Sequence, residues 1–139
     1  WQPPMPEEGG FRLTALDVGQ GLAVVVRTAS HTLVYDAGPR FGADVDSGRS
    51  VVEPFLRATV GPAIDALVVS HGDNDHIGGA DYLLEALPVA RLYTSVPERL
   101  ERYGPIPCRA GSVGAGMAWI SPCCRLGTSP AAKTIAPAC

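Results

Sequence analysis

The chain has 139 residues, of which 46% are hydrophobic and 18% charged, and a formal net charge of −3. This composition excludes a disordered polymer, and the length allows one modest domain with a buried core. The acidic balance excludes whole-chain attraction to nucleic acid, and no basic patch is evident, so a nucleic-acid substrate would be held by a local patch or by metal ions.

WQPPMPEEGG has neither the basic start nor the apolar stretch of a signal peptide, and residues 1–10 read as a Pro/Gly linker cut from something upstream. FRLTALDVGQG begins extended and ends in a glycine turn. LAVVVRT and HTLVYDAG are rich in β-branched residues and are joined at Thr28–Ser30, a strand and hairpin pattern. DSGRSVVEPFLRATVG predicts a short helix. Ser50 is its candidate cap, Pro54 falls in its first turn, and Gly61 closes it. IDALVVS is a continuous apolar run, the mark of a strand buried on both faces. IGGADYLLEALP has helical spacing at Ala80, Leu83, Leu84 and Leu87, and Pro88 stops it. ARLYTS predicts another strand, and PERLERYG a short helix between Pro97 and Gly104. Strands first, then helix and strand in alternation, predict an α/β layer architecture with helices packed on a mixed sheet.

The longest apolar runs, LAVVV and IDALVV, are far shorter than the roughly 20 residues that span a bilayer as helix. Cys108, Cys123, Cys124 and Cys139 form no CxxC pair, which argues against a zinc-finger or redox motif. From Gly111 onward neither structural period is present and no acidic residue occurs.

The chemistry concentrates in VVSHGDNDHIGGAD, residues 68–81. His71, Asp73, Asp75 and His76 are four metal-capable side chains within six positions, after a buried strand and before a helix. His71 and Asp73 are two apart and project the same way in extended backbone. Asp75 and His76 then turn toward the helix. The alternation can aim two ligand pairs at two neighbouring cations. Gly78 and Gly79 are expected to leave space there for metal or substrate.

HGDNDH resembles the HxHxDH signature of the metallo-β-lactamase fold, with Asp73 at the second histidine. LDVGQG, LVYDAGPR and LVVSHGDNDHIGG, in this order and spacing, resemble the soluble domain of ComEC-type competence proteins, which internalise DNA during natural transformation. The resemblance covers about residues 11–107. It implies the N-terminal half of an αββα sandwich, a mixed sheet with helices on one face, and hence a sheet face that a second half would cover. It further implies a metal-dependent hydrolase of DNA phosphodiesters, attached to a membrane channel portion in the cell envelope. Two divalent ions (Mn, Zn or Mg) would be held by His71 with Asp73 and by Asp75 with His76, and Asp75 would orient or deprotonate the attacking water. An aspartate in place of a histidine shifts preference from zinc toward manganese or magnesium. Other hydrolases of this fold, acting on lactams, thioesters or RNA, are the alternative, as is a non-catalytic remnant.

Asp17, Gln20 and Gly21 match the family's DVGQG turn near the metals, although a plain strand-end turn explains them equally well. Asp36 and Gly38 match its DAG turn, with a mostly structural role expected. Arg40 and Arg49 are expected in a solvated loop rather than on phosphate, and His31 is expected to be exposed. The motif supplies two side chains per metal, where catalytic sites usually take about three. The family's later HHGS-type segment has no counterpart after residue 76. Residues 108–139 are therefore read as an aberrant tail, and two explanations stay open: a frameshift near residues 109–111, or a divergent or disordered C-terminus.

Overall fold

The computed structural model describes residues 4–108; apart from Cys108, the tail expectations lie outside the described residues. Six strands form one sheet in chain order: β1 (Phe11–Ala15), β2 (Val24–Thr28), β3 (Thr32–Tyr35), β4 (Ala66–Val69), β5 (Leu92–Thr94) and β6 (Ile106–Pro107). The first three are antiparallel neighbours; β3 through β6 are parallel. The β2–β3 hairpin closes at the predicted turn, where the Thr28 N–H donates to the His31 carbonyl at 2.9 Å.

The parallel pairs need crossovers, and the helices supply them. A π-helical turn at Gly48–Val52 runs into α1 (Glu53–Thr59) between β3 and β4. Two helices, α2 (Asn74–Ile77) and α3 (Ala80–Ala86), link β4 to β5. The predicted helix at Ser50–Gly61 is therefore two pieces. Pro54 has no N–H to return to Ser50, so regular α bonding cannot run back through it. Ahead of it the Glu53 N–H reaches Gly48 O, five residues back. Ser50 does not cap; its hydroxyl donates to Asp46 O at 2.7 Å. Gly61 closes the segment at φ +90°, its N–H donating to Leu56 O at 2.8 Å. Leu87 is already extended after α3 (ψ 149°), as a residue before proline must be. The PERLERYG segment is two 3-10 turns, Pro97–Arg99 and Glu101–Tyr103, ending at Gly104 with φ +63°.

Alternation along the strands sorts the sheet into two faces. Val25, Val34, Leu67, Val69 and Leu92 point to the helix side, where they pack with Val52, Leu56, Leu83 and Leu87. Both helical segments thus cover the same face, as predicted. The opposite face is apolar too. Ala15, Val24, Tyr35, Val68, Tyr93 and Ile106 fall in register across all six strands. Only Leu33 and Ala66 are buried there, and Phe11, Leu13 and Ile106 remain exposed. Among the described residues, no element covers this face. No helix among them is long and apolar enough to cross a membrane.

Candidate metal centre

Strands β3 and β4 are parallel neighbours, so the segments that leave their C-terminal ends emerge side by side, the usual place for a site in such sheets. Asp36 leaves β3 and Ser70 leaves β4. The Ser70 N–H donates to Asp36 Oδ1 and its hydroxyl to Asp36 Oδ2, each at 2.7 Å. Asp36 is fully buried and holds a left-handed backbone (φ +58°), a conformation that costs a non-glycine residue about 1 kcal/mol and that aspartate tolerates better than most.

After Ser70 the chain passes through His71 and Gly72 to Asp73, which is extended (φ −76°, ψ 145°) and opens α2. The His76 and Ile77 N–H groups both donate to Asp73 O at 3.0 Å. This turn curls Asp75 and His76 back toward His71. The two imidazole rings lie 3.9 Å apart between centroids. His71, Asp75 and His76 each offer a ligand atom within 4.8 Å of the others. Asp73 lies at the margin: Oδ2 is 3.5 Å from His71 Nε2, with its side chain 81% exposed. Asp75 Oδ2 is likewise 3.5 Å from His76 Nε2. The structure therefore keeps both sequence-adjacent pairs close and joins three of the four residues into one group.

The hydrogen bonds fix which ring nitrogens are free. His76 Nδ1 is 2.7 Å from Asp36 Oδ2, and a carboxylate there can only accept, so Nδ1 carries the proton. Ser70 Oγ spends its own proton on Asp36, so it accepts from His71 Nδ1 at 2.9 Å. In the neutral rings this leaves Nε2 as the lone-pair donor, that of His76 beside Asp75 and that of His71 beside Asp73. Two imidazole nitrogens and a carboxylate, each imidazole held through its other nitrogen, fit a divalent transition-metal ion.

Of the other predicted residues, Asp17 accepts from the Gly19 N–H at 3.2 Å and is exposed, as is Gln20. Gly21 abuts the 71–76 loop: a Cβ there would collide with Asp75 O, and the next N–H, of Leu22, donates to that oxygen at 3.0 Å. Gly38 has φ +67° and donates to Leu22 O at 2.8 Å. Gly78 and Gly79 do make room, but for backbone rather than ligand. A Cβ on Gly78 would strike Arg40 N, and one on Gly79 would strike Ala37 O and Gly48 N. Arg40 is half-exposed, with Nε donating to Gly78 O at 3.2 Å. Arg49 lies over the Tyr82 ring, 4.7 Å from its centroid. His31 is exposed at the hairpin turn and belongs to no metal-capable group among the described residues.

Sequence reasoning assigned no role to Ser70 or Asn74. Ser70 links both histidines to Asp36. Asn74 clasps the backbone of Arg40, accepting from its N–H at 3.2 Å and donating to its carbonyl at 3.0 Å. Neither carries a sequence signal, because both partners lie 34 residues away.

A mixed sheet with helices on one face and a His/Asp group at the ends of its parallel strands defines the class: an α/β domain with a metal-capable site. The chain belongs to the metallo-β-lactamase superfamily, whose family pattern matches residues 16–128. It is 35% identical over 101 residues to competence protein ComA of Neisseria gonorrhoeae, a match covering 73% of this chain and 14% of that protein. It is 34% identical over 92 residues to ribonuclease J of Mycolicibacterium smegmatis, covering 62% of this chain and 16% of that protein. The chain thus spans well under a fifth of the length of these relatives. Among solved structures, the chemotaxis sensor ODP, described as a peroxy diiron species, superposes with a TM-score of 0.55 at 21% identity, over 79% of this chain and 47% of that one. That likeness concerns the fold.

Proposed function

We propose that the chain is a metal-dependent phosphodiesterase domain acting on DNA, within a protein of the cell envelope that serves DNA uptake. The observation that carries this reading is the group of His71, Asp75 and His76, with both imidazoles oriented by Asp36 and Ser70. The similarity to a competence protein and to a ribonuclease supports nucleic acid as substrate. His71, Asp75 and His76 would hold a divalent ion, with Asp73 at the margin positioned to join a second. Such an ion supplies Lewis acidity, polarising a phosphoryl oxygen and making water a stronger acid. The protein's own part is to fix the ligands. The Asp36–Ser70 network holds each ring by its Nδ1, so that Nε2 is the nitrogen left to a ligand, and Asp75, half-exposed at the cleft, would orient a water and accept its proton.

Incubation with single-stranded DNA and Mn2+ tests this. Hydrolysis should require the metal, stop with chelator, and fall about 100-fold or more in Asp75→Asn with the circular dichroism spectrum unchanged. Full activity of Asp75→Asn would remove its assigned role. A second reading, a metal-binding domain without turnover, is favoured by one fact: the described residues gather a single three-membered ligand group. Metal binding without hydrolysis of any phosphodiester would select it.

A further inference from the structure

Between β3 and the π-helical turn the chain makes a small hairpin at residues 40–46. Arg40 bridges Asp46, and the Phe41 N–H donates to Val45 O at 2.8 Å. The hairpin is tied to the metal loop at its base by the two Asn74 hydrogen bonds to Arg40. Its apolar side chains are nevertheless turned outward: Phe41 is 63% and Val45 54% exposed. The exposed Phe11, Leu13 and Ile106 belong to the apolar sheet face, but Phe41 does not. It lines an open cleft of about 420 Å³ with Gln20, Pro39, Arg40, Asn74 and Asp75. Asp75 lines this cleft and also belongs to the metal-capable group, so the two share that residue.

Arg40 is the cation of this cleft. Its Nη2 is 3.5 Å from Asp81 Oδ2, while Arg102 takes the other oxygen of Asp81 at 2.9 Å. Asp81 is thus shared, and the Arg40 guanidinium stays half-exposed and open to an anion. An aromatic side chain and a cation in a cleft that shares Asp75 with the metal-capable group match the three parts of a nucleotide strand: base, flanking phosphate and scissile phosphate. We propose that Phe41 is a stacking platform that positions a nucleobase next to the scissile phosphodiester, with Arg40 on a neighbouring phosphate. This rests on the phosphodiesterase reading and adds the side chains that position the strand. Stacking of this kind tolerates any base, because each has a π-face, and it is not available to a base buried in a duplex.

The test measures fluorescence anisotropy of a short labelled single strand with phosphorothioate linkages, using the full chain with Mn2+. A strand of the same length made of abasic residues serves as comparison. The base-bearing strand should bind roughly tenfold tighter than the abasic one. Phe41→Ala and Phe41→Leu should lose that difference, and Phe41→Trp should keep it. Equal binding of the two strands, or unchanged binding by Phe41→Ala, overturns the stacking role. If ordinary DNA is still hydrolysed with Mn2+, the phosphodiesterase reading survives that failure. Absence of both binding and hydrolysis overturns the two together.

Discussion

The Asp36 carboxylate lies 2.7 Å from Nδ1 of His76, forty residues further along the chain. Through Ser70 the same carboxylate also governs His71, so one buried side chain sets the tautomer of both imidazoles. Partners of metal-binding histidines typically contribute 10- to 100-fold to metal affinity. Asp36→Asn, which retains tolerance for the left-handed backbone, should therefore weaken divalent-metal binding by about tenfold or more while leaving the fold intact. Calorimetric titration with Mn2+ or Zn2+ measures this, and unchanged affinity would remove Asp36 from the ligand network.

Gly78 and Gly79 are where three backbone segments meet without side chains between them. The atoms that a Cβ would strike are backbone atoms, which cannot swing aside. Gly78→Ala and Gly79→Ala should each lower stability by about 2 kcal/mol or more, as overpacking does. Urea denaturation checks this; wild-type midpoints would show that the segments can separate.

On the helix side, Glu53 accepts hydrogen bonds from the Tyr82 hydroxyl and from Arg57 Nε. The Tyr82 bond, then the Arg57 bond, holds the Glu53 carboxyl below its ordinary value, and the Glu53 partner raises Tyr82. A carboxyl with a lowered folded value contributes stability above its unfolded value, near pH 4.3, and loses it as pH falls through the folded one. Glu53→Gln should be less stable than wild type at neutral pH, and the gap should narrow below about pH 4. A gap independent of pH would contradict this.

The apolar sheet face should make the isolated chain prone to self-association. Because Phe11 and Leu13 are exposed, replacing both with lysine should change folding stability little and reduce light scattering at high protein concentration. A wild-type chain that stays monodisperse would show that the face is covered.

Hydrophobic periodicity made β1 to β5 and the hairpin legible, because that signal is local, whereas the two-residue β6 carries none, and β4, expected buried on both faces, keeps Val68 only partly covered. The division of the 48–61 segment into a π turn and α1 was less legible: Pro54 is visible, but which hydrogen bonds replace the lost one depends on packing at Gly48. Glycines 78 and 79 announced a close approach without saying whether ligand or backbone arrives. Ser70, Asn74 and Phe41 act across long separations or from an exposed hairpin, where neither period nor motif marks them.

His71, Asp75 and His76 are proposed to form one metal site. Its most direct test is titration of the full chain with Mn2+, followed by electron paramagnetic resonance of the free ion. Wild type should take up the metal saturably. His71→Ala, Asp75→Ala and His76→Ala should each weaken uptake by about tenfold or more, and His31→Ala should match wild type. Wild-type chain that binds no Mn2+, or a His76→Ala variant that binds it as wild type does, would rule out a metal site at these three residues.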